Sequence, residues 1–127
     1  MTATPKRLLR ALDTRDGHVC AWHGAQCDPD TLVPQHRASR GMGGRPSAMV
    51  IENLVWLDSW QNGLLESDSA AAAIALARGI KISSHRDPSQ VPVWLDEAWW
   101  LLNPDGTRSQ LTWDEAAELR TLYGMGE

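Results

Sequence analysis

The chain has 127 residues, a formal net charge of −4, seven Trp, one Tyr and no Phe. That length makes a single domain (1–127) with a modest core the expectation, and the negative balance argues against a generic binder of polyanions. No apolar run reaches the roughly 18 residues that span a bilayer, and the first residues lack the apolar segment and cleavage site of a secretory signal; the expectation is a cytoplasmic protein with no membrane partner, whose Cys20 and Cys27 are thiols or metal ligands and not a disulfide.

Charge is unevenly spread. Residues 1–45 carry a balance of +3 and residues 91–127 a balance of −5, so one face could meet a phosphate backbone while the other does not. The tryptophans, Trp22, Trp56, Trp60, Trp94, Trp99, Trp100 and Trp113, are expected to supply much of the core bulk. Trp99 and Trp100 are neighbours on an expected strand, so they point to opposite faces and one of them is core.

Residues 5–12 (PKRLLRAL) read as a short basic helix or arm. Residues 15–30 hold Gly17, Cys20, His23, Gly24, Cys27 and Pro29, a turn-rich knuckle. Residues 31–37 (TLVPQHR) read as a short strand, which Pro34 restricts to an edge or a strand end. The glycines and Pro46 of residues 38–51 make a long loop, and loops of that length without structure are often functional. Residues 52–58 (ENLVWLD) are the best strand of the chain.

A first helix is expected over residues 60–67. A second runs through 70–78, with Asp68 or Ser69 as its cap and Gly79 as its stop; its alanines favour helix and close packing. Residues 80–95 read as a short strand, a polar turn over 83–89 and another apolar stretch. Residues 99–102 and 107–111 flank Asn103-Pro104-Asp105-Gly106 as a hairpin. Thr112 and Glu115 form a capping box that opens a last helix through Leu122. His18 and His85 have no evident partner and read as surface residues.

Three positions line up across these elements: His36 at the end of the first strand, Asn53 at the start of the second, and Asn62 at the start of the helix, with eight residues between the last two. This order resembles the HNH (ββα-metal) endonuclease family. The segments Gln35-His36-Arg37-Ala38-Ser39-Arg40-Gly41-Met42-Gly43-Gly44, Asn53-Leu54-Val55-Trp56-Leu57 and Asn62-Gly63-Leu64-Leu65-Glu66-Ser67 look especially like HNH proteins of actinobacterial phages. The resemblance covers about residues 15–95. It implies an α+β fold: a ββα-metal core over about 15–80, with an N-terminal Cys/His knuckle and a C-terminal hairpin-plus-helix extension over 81–127.

It also implies chemistry. His36 would be the general base toward water, Asn53 would organise the loop and orient His36, and Asn62 would stand on the metal side of the helix. A Mg²⁺ or Mn²⁺ ion would neutralise the phosphate and the leaving 3′ oxygen. Gln35 occupies a position where the family often has Asp or His as metal ligand, and Glu66 shares a helix face with Asn62. Gln35 and Asn62 are neutral amides, poorer ligands for hard cations than carboxylates, so Glu66, Asp58 or Asp68 is expected to help. DNA is the implied substrate, and the phage resemblance points to genome processing or packaging beside a terminase, in the cytoplasm of a bacterial host. The alternative is a degenerate, non-catalytic nucleic-acid-binding module on the same scaffold; a third reading is an interaction protein that docks through its acidic, Trp-rich C-terminal part.

Related nucleases often carry two cysteine pairs around a structural zinc. Here Cys20-Ala21-Trp22-His23 and Cys27 match only the first half. A tetrahedral zinc site from Cys20, His23, Cys27 and Asp58 is chemically open, but the uncommon C-x6-C spacing tips the balance toward two small thiols that pack the knuckle. In the glycine-rich loop, Arg37, Arg40 and Arg45 are the expected DNA-backbone contacts, since glycines admit close approach and guanidinium groups bind phosphate oxygens in pairs. It is no nucleotide P-loop, because the GK[ST] ending is missing. No element offers a recognition helix, so weak or structure-guided specificity is expected.

Overall fold

The computed structural model describes residues 3–39 and 49–126. It is a mixed α+β fold with two small antiparallel sheets. Helix α1 (Lys6–Asp16) precedes the knuckle; β1 (Leu32–His36) and β2 (Leu54–Asp58) form the first sheet; α2 (Ser59–Ser67) and α3 (Ser69–Arg78) follow; β3 (Val93–Leu95), β4 (Ala98–Leu102) and β5 (Arg108–Gln110) form the second sheet, and α4 (Trp113–Leu122) closes the chain. The extension is therefore a three-stranded meander and a helix, one strand more than a hairpin. None of the helices among the described residues is long and apolar enough to cross a membrane.

Strand β2 is buried at all five positions because it is covered on both faces. Alternation sends Val55 and Leu57 into one apolar cluster with Leu65, Ala75, Ile80, Val93 and Leu102, and sends Leu54 and Trp56 into another with Leu8, Leu12 and Ile51. Each large aliphatic side chain removed from water in this way contributes roughly 1.5–3 kcal/mol. Helix α1 supplies the second cover through Leu8 and Leu12, one turn apart, and runs one turn further than the basic segment implied. Its Arg15 carries it onto the sheet, donating to the carbonyls of Ile51 (2.9 Å) and Leu54 (2.6 Å) while it pairs with Asp16. Residues Ile51–Asn53 form a 3₁₀ turn, so β2 begins two residues later than the apolar pattern of 52–58 suggested.

The strand pair runs antiparallel, with Leu32 opposite Asp58 and His36 opposite Leu54. Asp58 ends β2 and caps α2, its Oδ1 accepting from Gln61 N at 2.8 Å. This cap settles a local competition: Asn62-Gly63, a turn signal on its own, lies inside the helix. Asp68 caps α3 through the N–H groups of Ala70 and Ala71, and Gly79 ends it in the left-handed region at φ 73°. A β-carbon on Gly79 would collide with the carbonyl of Pro92, so this helix end requires glycine on two counts. Thr112 and Glu115 form the capping box of α4.

The core is aliphatic and not built from tryptophan. Only Trp56 and Trp99 are buried; Trp60 and Trp113 are 76% and 70% exposed. Two half-buried ones lie under arginines, Arg108 4.0 Å over the Trp100 ring and Arg78 5.1 Å over Trp22, and Arg120 stands 4.7 Å over the buried Trp99.

Arg37 corrects the expectation of a DNA-binding arginine. It is 1% exposed and points inward, where Nε donates to Gly79 O (2.8 Å), Nη1 to Pro88 O (2.8 Å) and Glu52 O (3.1 Å), and Nη2 to Val91 O (2.7 Å). Four of the five guanidinium N–H donors are thus spent on backbone carbonyls, and none is offered to a phosphate. Burial, with Arg15 nearby and only partly offset by Glu52, lowers its pKa to about 9, so the group stays charged at neutral pH. The side chain ties the end of β1 to the stop of α3, to the Ile51–Asn53 turn and to the segment before β3. Arg37→Met should cost about 3 kcal/mol or more, since it orphans several buried carbonyls. Arg37→Lys should cost about 2 kcal/mol, because one ammonium cannot reproduce the fork. Urea unfolding measures both, and changes under about 0.5 kcal/mol would contradict this role.

Candidate metal cluster and histidine cleft

Two groups of chemically active side chains stand at opposite ends of the β1–β2 pair. At one end the knuckle folds back on itself. Gly24 N donates to Cys20 O (2.9 Å), Ala21 N donates to Trp56 O (2.7 Å), and His18 bridges Asp13 (2.7 Å) and Pro29 O (2.9 Å). The Asp13 carboxylate, more than the Pro29 carbonyl, raises the pKa of His18. His18 therefore pins the knuckle to α1, a partner that its sequence neighbourhood did not reveal.

This folding brings Cys20, His23 and Cys27 onto Asp58. Their donor atoms all lie within 4.8 Å of one another. His23 Nδ1 is 3.0 Å from Asp58 Oδ2, 3.2 Å from Cys27 Sγ and 3.9 Å from Cys20 Sγ; the two thiols lie 3.5 Å (Cys20) and 3.3 Å (Cys27) from the same carboxylate oxygen. A tetrahedral ion bound by N, O and S donors needs donor–donor edges of about 3.3–3.8 Å, so the group has the size and the chemistry to hold a metal. The uncommon spacing is no obstacle, because the chain bends at Gly24 and Asp58 arrives from the other strand. Asp58 divides its work: Oδ1 caps α2 while Oδ2 faces the cluster.

Electrostatics fit this division. Burial would raise the Asp58 pKa, but the Gln61 N–H and the bonds from Cys27, Cys20 and His23 outweigh it and hold the group below the usual carboxylate range. Burial, then Cys20 and Asp58 beside it, push the Cys27 thiol up to about 12. A cation reverses that balance, since a coordinating thiol is deprotonated.

At the other end, His36 closes β1 in a cleft of about 220 Å³ lined among the described residues by Gln35, His36, Arg37, Ser39, Leu65, Glu66, Lys81 and Ile82. Gln35 Nε2 donates to the carbonyl of His36 (2.9 Å), which leaves its Oε1 as an acceptor. Asn53 is fully buried. Its Oδ1 accepts from Ala38 N (2.7 Å) and its Nδ2 donates to Ala38 O (3.1 Å), while Arg37 N donates to Asn53 O (2.8 Å). The backbone on either side of Ala38 is held by one side chain, so the strand end that carries His36 has a fixed course.

Helix α2 packs on both strands and brings Glu66 to this cleft. Asn62, one turn earlier and half-buried, is not among the lining residues. Asp68 caps α3 and does not line the cleft either. Arg40, Arg45 and Gly41-Met42-Gly43-Gly44 lie outside the described residues. Lys81 is not singled out by the sequence, and His85 reads there only as a surface residue. Lys81 lines the His36 cleft; His85 lines a neighbouring cavity of about 520 Å³ with Ser39, Glu52, Asn53 and Asp87. Neither sits in a motif, so only the fold brings them near.

Comparison with protein-family models, with curated proteins and with solved structures finds no match to this chain.

The cluster makes a direct prediction. Purified protein should carry about one equivalent of bound metal by elemental analysis, and Cys20→Ser with Asp58→Asn should abolish it. A chelator should lower the unfolding temperature of wild type only. Less than a tenth of an equivalent after reconstitution would rule out the metal site.

Proposed function

We infer that this chain is a metal-dependent DNA endonuclease of the HNH type. The observation that carries the reading is the pairing of His36 with Glu66 and Gln35 in one cleft, at a strand end held by Asn53. His36 at the end of β1 and Glu66 on α2 both line the cleft, with Asn53 in the turn before β2 holding the backbone beside them; a histidine base and a carboxylate for a metal are what a one-metal phosphodiesterase uses.

The donor set suits a hard divalent ion that keeps most of its waters. Glu66 offers a carboxylate and Gln35 an amide oxygen, and magnesium sites commonly use one or two carboxylates plus substrate phosphate. When bound there, Mg²⁺ or Mn²⁺ supplies charge neutralisation at the phosphate and the leaving oxygen. His36 accepts a proton from the water whose oxygen bonds to phosphorus. The bond from phosphorus to the 3′ oxygen breaks, its electron pair stays on that oxygen, and a solvent proton completes the 3′-hydroxyl. Asn53 contributes by fixing the backbone beside His36. The second metal group, with two thiols, an imidazole and one carboxylate, has the soft donor set of zinc. Zinc there braces the knuckle against the β2–α2 junction, a structural role separate from catalysis.

One observation favours the alternative of a non-catalytic nucleic-acid-binding module: Glu66 is the one carboxylate lining the cleft among the described residues. A plasmid assay decides between the two. Supercoiled DNA with Mn²⁺ or Mg²⁺ should be nicked by wild type, with the rate falling at least a hundredfold in His36→Ala and in EDTA, and about tenfold or more in Glu66→Gln. DNA binding by folded wild type with no nicking in either metal would select the binding module instead.

A further inference from the structure

We propose that Lys81 seats a non-bridging oxygen of the DNA phosphate in the His36 cleft. The inference rests on the nuclease reading for its substrate but not for its test.

A phosphodiester brings one negative charge, and attack by water adds more in the transition state, which must be met by a positive group placed beforehand. The positions where the HNH resemblance puts metal ligands hold the neutral amides Gln35 and Asn62, and Asn62 does not line the cleft. Arg37 does line it, but its donors are committed to Gly79, Pro88, Glu52 and Val91. Among the described lining residues, Lys81 is the remaining permanent cation.

Backbone geometry explains why it stands there. After Gly79 stops α3, residues 80–82 run beside the end of β1: Ile82 N donates to Arg37 O (2.9 Å) and Ile82 forms a parallel bridge with Ala38. Ile80 is fully buried and Ile82 is 7% exposed, while Lys81 between them is half-buried. The chain turns here, with Ile80 N (3.0 Å) and Lys81 N (3.2 Å) both donating to Ala75 O at the end of α3; the two isoleucines go into the core and the half-buried Lys81 lines the cleft. It also lines an apolar cavity with Leu76, Tyr123 and Met125, so its aliphatic stem has cover while its ammonium remains available. Lys81 thus follows Arg37 into the site: the hydrogen bond from Ile82 to Arg37 O fixes its position beside the strand that carries His36.

The test measures binding of a short DNA duplex across a salt series in a His36→Ala background, which cannot cut, and nicking in the otherwise wild-type chain. Lys81→Ala and Lys81→Gln should weaken binding roughly three- to tenfold and lower the salt slope by about one. Lys81→Ala should slow nicking about a hundredfold, and Lys81→Arg should restore much of both. Lys6→Ala, on the exposed face of α1, controls for general surface charge. Lys81-dependent binding by a protein that never nicks would keep the phosphate seat and discard the nuclease reading. Unchanged binding and nicking in folded Lys81→Ala, an equal effect of Lys6→Ala, or no DNA binding by wild type would overturn the proposal.

Discussion

A buried guanidinium without a carboxylate partner sets the arrangement of this molecule. Arg37 follows His36 directly and spends its donors on four carbonyls from three separate parts of the chain. Removing a charge from water is costly unless every donor is satisfied, so those carbonyls must converge for the fold to be stable. Their convergence sets the end of β1, the stop of α3 and the approach to β3 at once. Asn53 completes the lock by holding both backbone groups of Ala38. His36 and Lys81 both stand beside this junction.

The sheet separates two kinds of chemistry. Because β1 and β2 pair antiparallel over five residues, the Asp58 end and the His36 end stand roughly 14 Å apart along the strands. The soft cluster of Cys20, His23, Cys27 and Asp58 occupies one end, and the oxygen-rich cleft of Gln35 and Glu66 the other. Asp58 links them structurally, since the carboxylate that faces the cluster also starts the helix that delivers Glu66. Losing Asp58 would therefore disturb the cleft through α2, although the cluster stands at the other end of the strands.

Much of the fold is legible in the sequence because its signals are local. The capping box at Thr112, the Asp68 cap, the Gly79 stop and the apolar run of β2 each need only a few adjacent residues. What sequence cannot show is direction into space. Arg37 sits in a run with Arg40 and a glycine-rich stretch, and its composition reads as a phosphate contact; burial reverses that meaning. The tryptophans read as core by residue type, yet Trp60 and Trp113 stand in solvent on the outer sides of α2 and α4. The set Cys20, His23, Cys27 and Asp58 is open in the sequence, but its uncommon cysteine spacing favours simple packing there; only the fold brings the four donors within 4.8 Å of one another. Asp96 and Glu97 carry no turn signature, although both adopt positive φ between β3 and β4. Lys81 gains its place from two buried isoleucines and a single bridge to β1.

The proposed reaction is attack of water, activated by His36, that breaks the bond from phosphorus to the 3′ oxygen. It is tested most directly by one turnover of a synthetic DNA duplex with Mn²⁺ in ¹⁸O-labelled water, with the product ends weighed by mass spectrometry. The account predicts a single ¹⁸O on a new 5′-phosphate, an unlabelled 3′-hydroxyl, and neither product with His36→Ala. A label in the 3′ end, labelled product from His36→Ala, or an intact duplex after incubation with folded, metal-loaded protein would contradict it.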